Sequence, residues 1–331
     1  MPRTTCTASL DGDALGSGNH KTMAPQIVAG SASRPLAELV AAEGGGELAP
    51  SSLERFPDGE LCPNVGDLRG EDVYVIQSTG PPVSENLTEL LLLLDACRRT
   101  GARRITAVVP YFGYARQDRR SHAGEAIGAR VATEAIAAAG ADRLVVIDPH
   151  TPNLEAMCPI PVEMLTAVPA IAHALGFLAA PAQVIVAPDL GAIKLAERFA
   201  ALLGLPIAIV RKVRTSGAVV RAEKLVGEVA RRNTFIVDDM ISTGATIEAT
   251  AGLLLENHAE PHPVVATVHG LFVGQAMERL DRLQPAALLT TDTVVHAPGS
   301  ALHLCSVARL LADAIDRLHR EVSLDELGPF A

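Results

Sequence analysis

Tryptophan is absent from the 331-residue chain, and tyrosine and phenylalanine number only three and seven. Positive charge is also in deficit: 28 Lys and Arg face 38 Asp and Glu, a formal net charge of −10 with histidine neutral. A surface of that sign repels a polyanion, which excludes general nucleic-acid binding; a small anionic substrate needs its cations gathered locally. Cysteine is sparse and scattered. Cys6, Cys62, Cys97, Cys158 and Cys305 form no C-x-x-C pair and read as reduced thiols of a cytoplasmic protein, not a disulfide or zinc framework. Long apolar runs are missing too. The most apolar stretch, Leu87 to Cys97, contains Glu89 and Asp95 and falls far short of the ~20 residues of a membrane span, so no membrane partner is expected. Residues 1–22 are polar, rich in Gly and Ser and without the apolar centre of a secretory signal; a disordered tail is expected there, with Met23 as an alternative start.

The chain is 48% hydrophobic and 20% charged, the composition of a globular protein, and its length suits about two domains. From residue 24, short β-branched runs alternate with Ala/Leu-rich segments. Strands are expected at Gln26 to Ala29, Val73 to Gln77, Ile105 to Val109, Leu144 to Ile147, Val184 to Ala187, Ile207 to Val210, Thr234 to Val237, Val264 to Val268 and Ala287 to Thr290. Helices are expected at Glu85 to Arg99, Glu125 to Ala139, Gly191 to Leu203, Thr246 to Glu256 and Val307 to Arg320. Apolar strands separated by helices predict βαβ units, mainly parallel sheets and a doubly wound α/β class. The Pro-rich stretch Cys158 to Pro161, followed by a fresh helix from about Leu165, divides the chain into 23–163 and 164–331. In such sheets ligands bind beyond the carboxyl ends of the strands, so the residues just after each strand carry the chemistry.

The strongest such segment is Thr234 to Ile247, a buried strand ending in Asp238 and Asp239, then Ser242, Thr243, Gly244, Ala245 and Thr246 opening a helix. Small residues let backbone N–H groups approach a phosphate, and paired acids accept the two donors of a vicinal diol. Helix capping by Asp239 and Ser242, with Gly244 easing a turn, is the bland alternative, but a cap does not call for two adjacent acids. Pro110 to Arg120 gathers Tyr111, Phe112 and Tyr114 with Arg116, Arg119 and Arg120, and reads as a nucleotide polyphosphate site: guanidinium forks match phosphate oxygens and aromatic faces hold a purine. Asp148-Pro-His150 and Pro188-Asp189 each follow a strand, and Arg211-Lys212-Val213-Arg214 places three cations in four residues.

The Asp238 to Thr246 segment resembles the phosphoribose loop shared by type I phosphoribosyltransferases and ribose-phosphate pyrophosphokinases. The Pro110 to Arg120 segment is similar to the PYxxYARQDR signature of the pyrophosphokinases alone. Phe56-Pro-Asp58-Gly-Glu60 resembles that family's F-x-D-G-E turn, and the D-x-H, P-D-x-G and K-x-R segments follow in family order. The resemblance implies two doubly wound domains of the type I phosphoribosyltransferase kind, an ATP side over 23–163 and a ribose 5-phosphate side over 164–331, with the last helix returning to the first domain. It implies transfer of the pyrophosphoryl group of MgATP to the 1-hydroxyl of ribose 5-phosphate, giving phosphoribosyl pyrophosphate and AMP. Phe56, Asp58, Glu60, Arg116, Gln117 and Asp118 would bind ATP; Asp238, Asp239, Ser242, Thr243, Gly244, Ala245 and Thr246 would bind ribose 5-phosphate. His150 and Asp189 would hold Mg2+, and Lys212, Arg214 and His150 would be catalytic, the first two on a mobile loop. The F-x-D-G-E turn would complete a neighbour's ATP site in a homo-oligomer built on dimers. Two other readings stay open, a non-catalytic regulatory relative and a phosphoribosyltransferase. The chain departs from the family pattern after His150 and is shorter after Asp189. It also carries Asp67-Leu68-Arg69-Gly70 where the family has S-x-R-G, which predicts weak or absent activation by inorganic phosphate.

Overall fold

A computed structural model of the chain describes residues 24–178, 183–216, 219–297 and 301–329, with the backbone alone for 212–216 and 219–223. The tail expected over 1–22 and the start at Met23 lie outside the described residues. The first half contains strands β1 (Gln26–Ala29), β2 (Glu47–Leu48), β3 (Ser51–Arg55), β4 (Leu61–Val65), β5 (Asp72–Ile76), β6 (Arg104–Val109), β7 (Arg143–Ile147) and β8 (Val162–Leu165), with helices α1 (Arg34–Ala42), α2 (Val83–Arg99), α3 (Gly128–Ala139) and α4 (Leu154–Met157). Six of these strands form a parallel sheet in the order β2-β1-β5-β6-β7-β8, while β3 and β4 pair with each other as a separate antiparallel hairpin.

The second half contains β9 (Gln183–Ala187), β10 (Ile207–Ser216), β11 (Val219–Val226), β12 (Asn233–Ile241), β13 (Val264–Gly270), β14 (Ala287–Thr291) and β15 (His303–Cys305). Its helices are α5 (Val168–Gly176), α6 (Ile193–Leu203), α7 (Ala245–Glu256), α8 (Ala276–Leu283) and α9 (Ala308–His319). The strands form a seven-stranded sheet in the order β11-β10-β9-β12-β13-β14-β15, parallel except at β10/β11. No helix among the described residues is long and apolar enough to cross a membrane.

Both sheets bury both faces, and the period-2 alternation of a strand shows which side each residue serves. On β5, Val73 and Val75 join the core under α2 and α3, whereas Tyr74 and Ile76 join a second core with α1 and α9. That second core runs without a break into Ile185, Phe199, Phe235 and Val237 of the other sheet, and a third, around Ile236 and Ile247, lies beneath α7. Full burial of each such side chain contributes about 1.5–3 kcal/mol.

Several boundaries differ from expectation. Met164 and Leu165 pair with Val146 and Ile147 in the first sheet, so that sheet ends past 163 and α5 starts only at Val168. Helix α3 starts at Gly128, not Glu125, because the Glu125 carboxylate accepts the backbone N–H groups of Ser121 and His122 (2.7 and 2.9 Å) in the preceding loop. Strands β10 and β12 run on past their expected ends at Val210 and Val237, since β11 and β13 continue to pair with them.

The last helix packs on α1 and is tied to the first sheet. Asp72, 3% exposed at the start of β5, accepts from Arg104 Nε at 2.8 Å and Nη2 at 2.5 Å, and from His319 Nδ1 at 2.8 Å. Arg104 also donates to the Leu318 carbonyl at 3.1 Å. Burial alone would raise the Asp72 carboxyl, but hydrogen bonds from Arg104 and His319 outweigh it and hold the group below its ordinary value. A depressed carboxylate contributes stability above its unfolded pKa and loses it as pH falls through the folded one. Asp72→Asn is therefore expected to cost roughly 2–4 kcal/mol in urea unfolding at neutral pH. The gap between wild type and D72N should close as the pH is lowered below about 4; equal stability at neutral pH would contradict the assignment.

Candidate active site

In each sheet the chain reverses direction of growth once, and in the second sheet that switch lies between β9 and β12, where a crevice opens at the carboxyl ends. Pro188 and Asp189 leave β9 there. Pairing of β12 with β9 stops at Ile236, so Asp238 and Asp239 stand on the free end of β12 beside Asp189. Those two acids lie on the strand itself, not after it, because Asp238 pairs with Thr267 and Met240 with His269 of β13. Asp189 Oδ1 accepts from the backbone N–H groups of Gly191 (2.9 Å) and Ala192 (3.2 Å), which turns the chain into α6.

Beyond β12, Ser242 and Thr243 lead to Gly244, whose φ of +75° places the N-cap of α7 in the left-handed region. The N-cap is a glycine with no side-chain cap hydrogen bond, so the cap position itself sets no side chain before the first turn formed by Ala245 and Thr246.

His150, carried past β7 of the first sheet, meets this crevice. Its Nδ1 lies 2.6 Å from Asp239 Oδ2, and that hydrogen bond raises the imidazole's pKa against the effect of partial burial. Asp239 is shifted up by burial but held below its ordinary value by His150, whereas burial and the charges of Asp239 and Asp189 push Asp238 well up. Asp239 and Asp189 both act on Asp238 through their charge, so acids from β12 and the end of β9 gather beside one imidazole. Thr151 Oγ1 donates to Asp118 Oδ2 at 2.9 Å, which brings the Arg116–Asp118 segment to the same place, and the Arg116 charge acts on His150. Arg116 and Gln117 are exposed.

One expectation about the aromatic segment needs correction. Tyr111 and Phe112 are only 4% and 3% exposed and pack in the core, so neither offers a face to a purine. Phe56, 39% exposed, sits with Asp58 and Glu60 at the tip of the β3–β4 hairpin. Lys212 and Arg214 lie on the backbone of the β10–β11 hairpin, not on a loop, since β10 pairs with β11 as far as Ser216 with bulges on the way; their side chains lie outside the described residues.

The sequence matches two family profiles, the N-terminal domain of ribose phosphate pyrophosphokinase over residues 25–140 and the phosphoribosyl transferase domain over 165–281. The chain is 36% identical to a ribose-phosphate pyrophosphokinase of Clostridium tetani over 315 residues, covering 93% of this chain and 98% of that one. The chain belongs to the ribose-phosphate pyrophosphokinase family. Another member, from Rhodopirellula baltica, is 40% identical over 309 residues, 91% of this chain and 98% of its own. The crystal structure of phosphoribosylpyrophosphate synthetase from Mycobacterium smegmatis superposes with a TM-score of 0.83 at 32% identity, covering 90% of this chain and 99% of that one.

Within this family member, sequence reasoning passed over Arg198, His269 and Thr293, which line the seam between the sheets. His269 follows the expected strand Val264 to Val268, so the rule that chemistry follows strand ends applied to it as well.

Gly244→Ala is expected to keep the fold at a cost of about 1 kcal/mol, because the added Cβ meets only an ordinary 3.4 Å contact with the Ala276 carbonyl but must adopt φ +75°. Calorimetry should find weaker inorganic phosphate binding. Gly252→Ala, in the open middle of α7 with nothing within 4 Å, should instead stabilise by about 0.5–1 kcal/mol and leave phosphate binding unchanged. Equal phosphate affinity in both variants would rule out the loop as an anion cradle.

Proposed function

We propose that the protein transfers the pyrophosphoryl group of MgATP to the 1-hydroxyl of ribose 5-phosphate, giving phosphoribosyl pyrophosphate and AMP. The observation that carries this reading is the 2.6 Å contact of His150 with Asp239, which joins the segment next to Arg116 and Asp118 to the segment that cradles a sugar phosphate. A phosphoribosyltransferase uses the second sheet alone and leaves the first half of the crevice without a task.

In this reading Asp238 and Asp239 accept the ribose diol, while Ser242, Thr243, Gly244, Ala245 and Thr246 surround the 5-phosphate. Arg116, Gln117 and Asp118 hold ATP so that the 1-hydroxyl attacks the β-phosphorus in line, the bond from that phosphorus to the α–β bridging oxygen breaks, and AMP leaves. Lys212 and Arg214 stabilise the charge that develops on the transferred group.

The residues present fit Mg2+. No group of three or more His, Cys, Asp or Glu side chains forms a metal cage among the described residues, and a hard cation of this kind is ordinarily held by one or two protein groups plus substrate phosphates. His150 and Asp189 would supply those groups, with the Nδ1 bond to Asp239 orienting the ring so that Nε2 is the donor. When bound, Mg2+ would offset the negative charge of the phosphates and act as a Lewis acid toward the transferred group. Among the described residues the β3–β4 hairpin pairs with no other strand, and it carries an exposed Phe56, which supports a homo-oligomer built on dimers in which Phe56, Asp58 and Glu60 complete a neighbour's adenine site. The free thiols of Cys62, Cys97, Cys158 and Cys305 suit the cytoplasm.

Incubation of purified protein with MgATP and ribose 5-phosphate should yield AMP and phosphoribosyl pyrophosphate in equal amounts, and chelation by EDTA should abolish both until Mg2+ is returned. If neither forms while added phosphoribosyl pyrophosphate is consumed only with a nucleobase, the protein is a phosphoribosyltransferase. Lys212→Ala should lower kcat by roughly 100-fold or more with little change in ATP affinity; lost affinity with intact turnover would contradict its role. With Asp67 exposed where the family carries serine, activity in phosphate-free buffer should change less than about twofold on adding inorganic phosphate. A strong phosphate requirement would overturn that expectation.

A further inference from the structure

His269 is 1% exposed at the end of β13, yet its ring is bonded mainly to the other sheet. Nε2 lies 3.1 Å from the Ile147 carbonyl oxygen and 3.2 Å from that of Asp148, both at the end of β7. Carbonyl oxygens only accept, so Nε2 carries the proton and Nδ1 accepts from the Thr293 hydroxyl at 2.9 Å. The Asp148 side chain is gripped as well: its carboxylate accepts from the Ala167 N–H at 2.7 Å and faces Arg198 of α6 at 3.4 Å. Asp148 is held at φ +36°, a conformation that a non-glycine residue keeps only when its surroundings impose it.

From this grip the chain takes two steps to His150, whose ring returns to Asp239. In the other direction His269 pairs with Met240, the neighbour of Asp239. A closed ring of covalent and hydrogen bonds therefore runs Asp239, Met240, His269, Asp148, His150 and back. The nucleotide segment joins the same node. The Tyr111 ring meets the His269 ring edge-on at 5.0 Å, and the Tyr111 N–H donates to Ser78 Oγ at 3.2 Å, while Ser78 donates in turn to the Thr293 carbonyl.

We infer that His269 is a positioning residue for the transfer: its Nε2–H holds the Ile147–Asp148 backbone against the second sheet and thereby sets His150 and the Arg116 segment relative to Asp239. The inference rests on the proposed reaction for its kinetic consequence and on the geometry alone for its structural one. Burial lowers the pKa of the His269 ring, in keeping with the neutral tautomer that these partners require.

The test compares wild type with His269→Phe, which keeps the ring volume but loses the donor, and His269→Gln, whose amide N–H reaches toward the same carbonyls. Folded H269F should lose roughly 10- to 100-fold in kcat with the KM for ATP and ribose 5-phosphate within about threefold, and H269Q should recover most of the loss. Wild-type kcat in folded H269F, or an equal fall in H269Q, overturns the inference. If H269F does not fold, Thr293→Val removes only the hydroxyl that orients the ring, and a folded T293V with unchanged kcat overturns it too. Hydrogen exchange reads the same contact without turnover. Amides of 147–154 should exchange faster in H269F, or in T293V if H269F does not fold, while those of α7 do not. Unchanged exchange in 147–154 refutes the positioning role even if the wild type makes no phosphoribosyl pyrophosphate, an outcome that would count separately against the proposed reaction.

Discussion

The imidazole of His150 leaves the first sheet and meets the Asp239 carboxylate of the second at 2.6 Å, at a point where Asp189, Asp238 and Asp239 already crowd together. Like charges so close are unfavourable unless a cation or a proton relieves them, and the chain supplies one relief from each side. His150 takes up the charge of Asp239, and Asp238 answers its neighbours and its burial with a raised pKa. A protein with a net charge of −10 thus gathers acid where its two sheets meet, with the exposed Arg116 close enough for its charge to act on His150.

Such a contact demands that two sheets sharing no strand hold a fixed relation. The core between them is continuous, from Ile27 and Tyr74 on one side to Phe199 and Phe235 on the other. Apolar packing is non-directional and resists separation more than rotation or sliding. Direction comes from the few polar bonds across the seam, His269 to the β7 carbonyls, Arg198 to Asp148 and Ser78 to Thr293, each buried or nearly so and therefore costly to leave unmade.

Much of this was legible in the residues. Nine strands and the alternating helices follow from β-branched runs and Ala/Leu-rich spacing, and the crevice follows from the rule on strand ends. What escaped has identifiable causes. The two-residue β2 and three-residue β15 are edge strands too short for a periodic signal. The continuation of β10 through Lys212 and of β12 through Asp239 is decided by a partner strand elsewhere in the chain, and local composition does not carry that information. Tyr111 and Phe112 look like ligand platforms by type; only tertiary packing turns them inward. Helix α1 was there to be read, with Pro35 in its first turn and Leu36, Ala37 and Val40 on its buried side.

The tie from Asp72 and Arg104 to His319 and the Leu318 carbonyl also has a consequence for biogenesis. Translation delivers Asp72 and Arg104 long before α9. A ribosome-bound nascent chain can assemble all the strands of its first sheet and still carry a buried acid and an arginine without their final partners, beside an α1 surface awaiting its cover. The first sheet is therefore completed only when α9, far away in sequence, has folded back onto it.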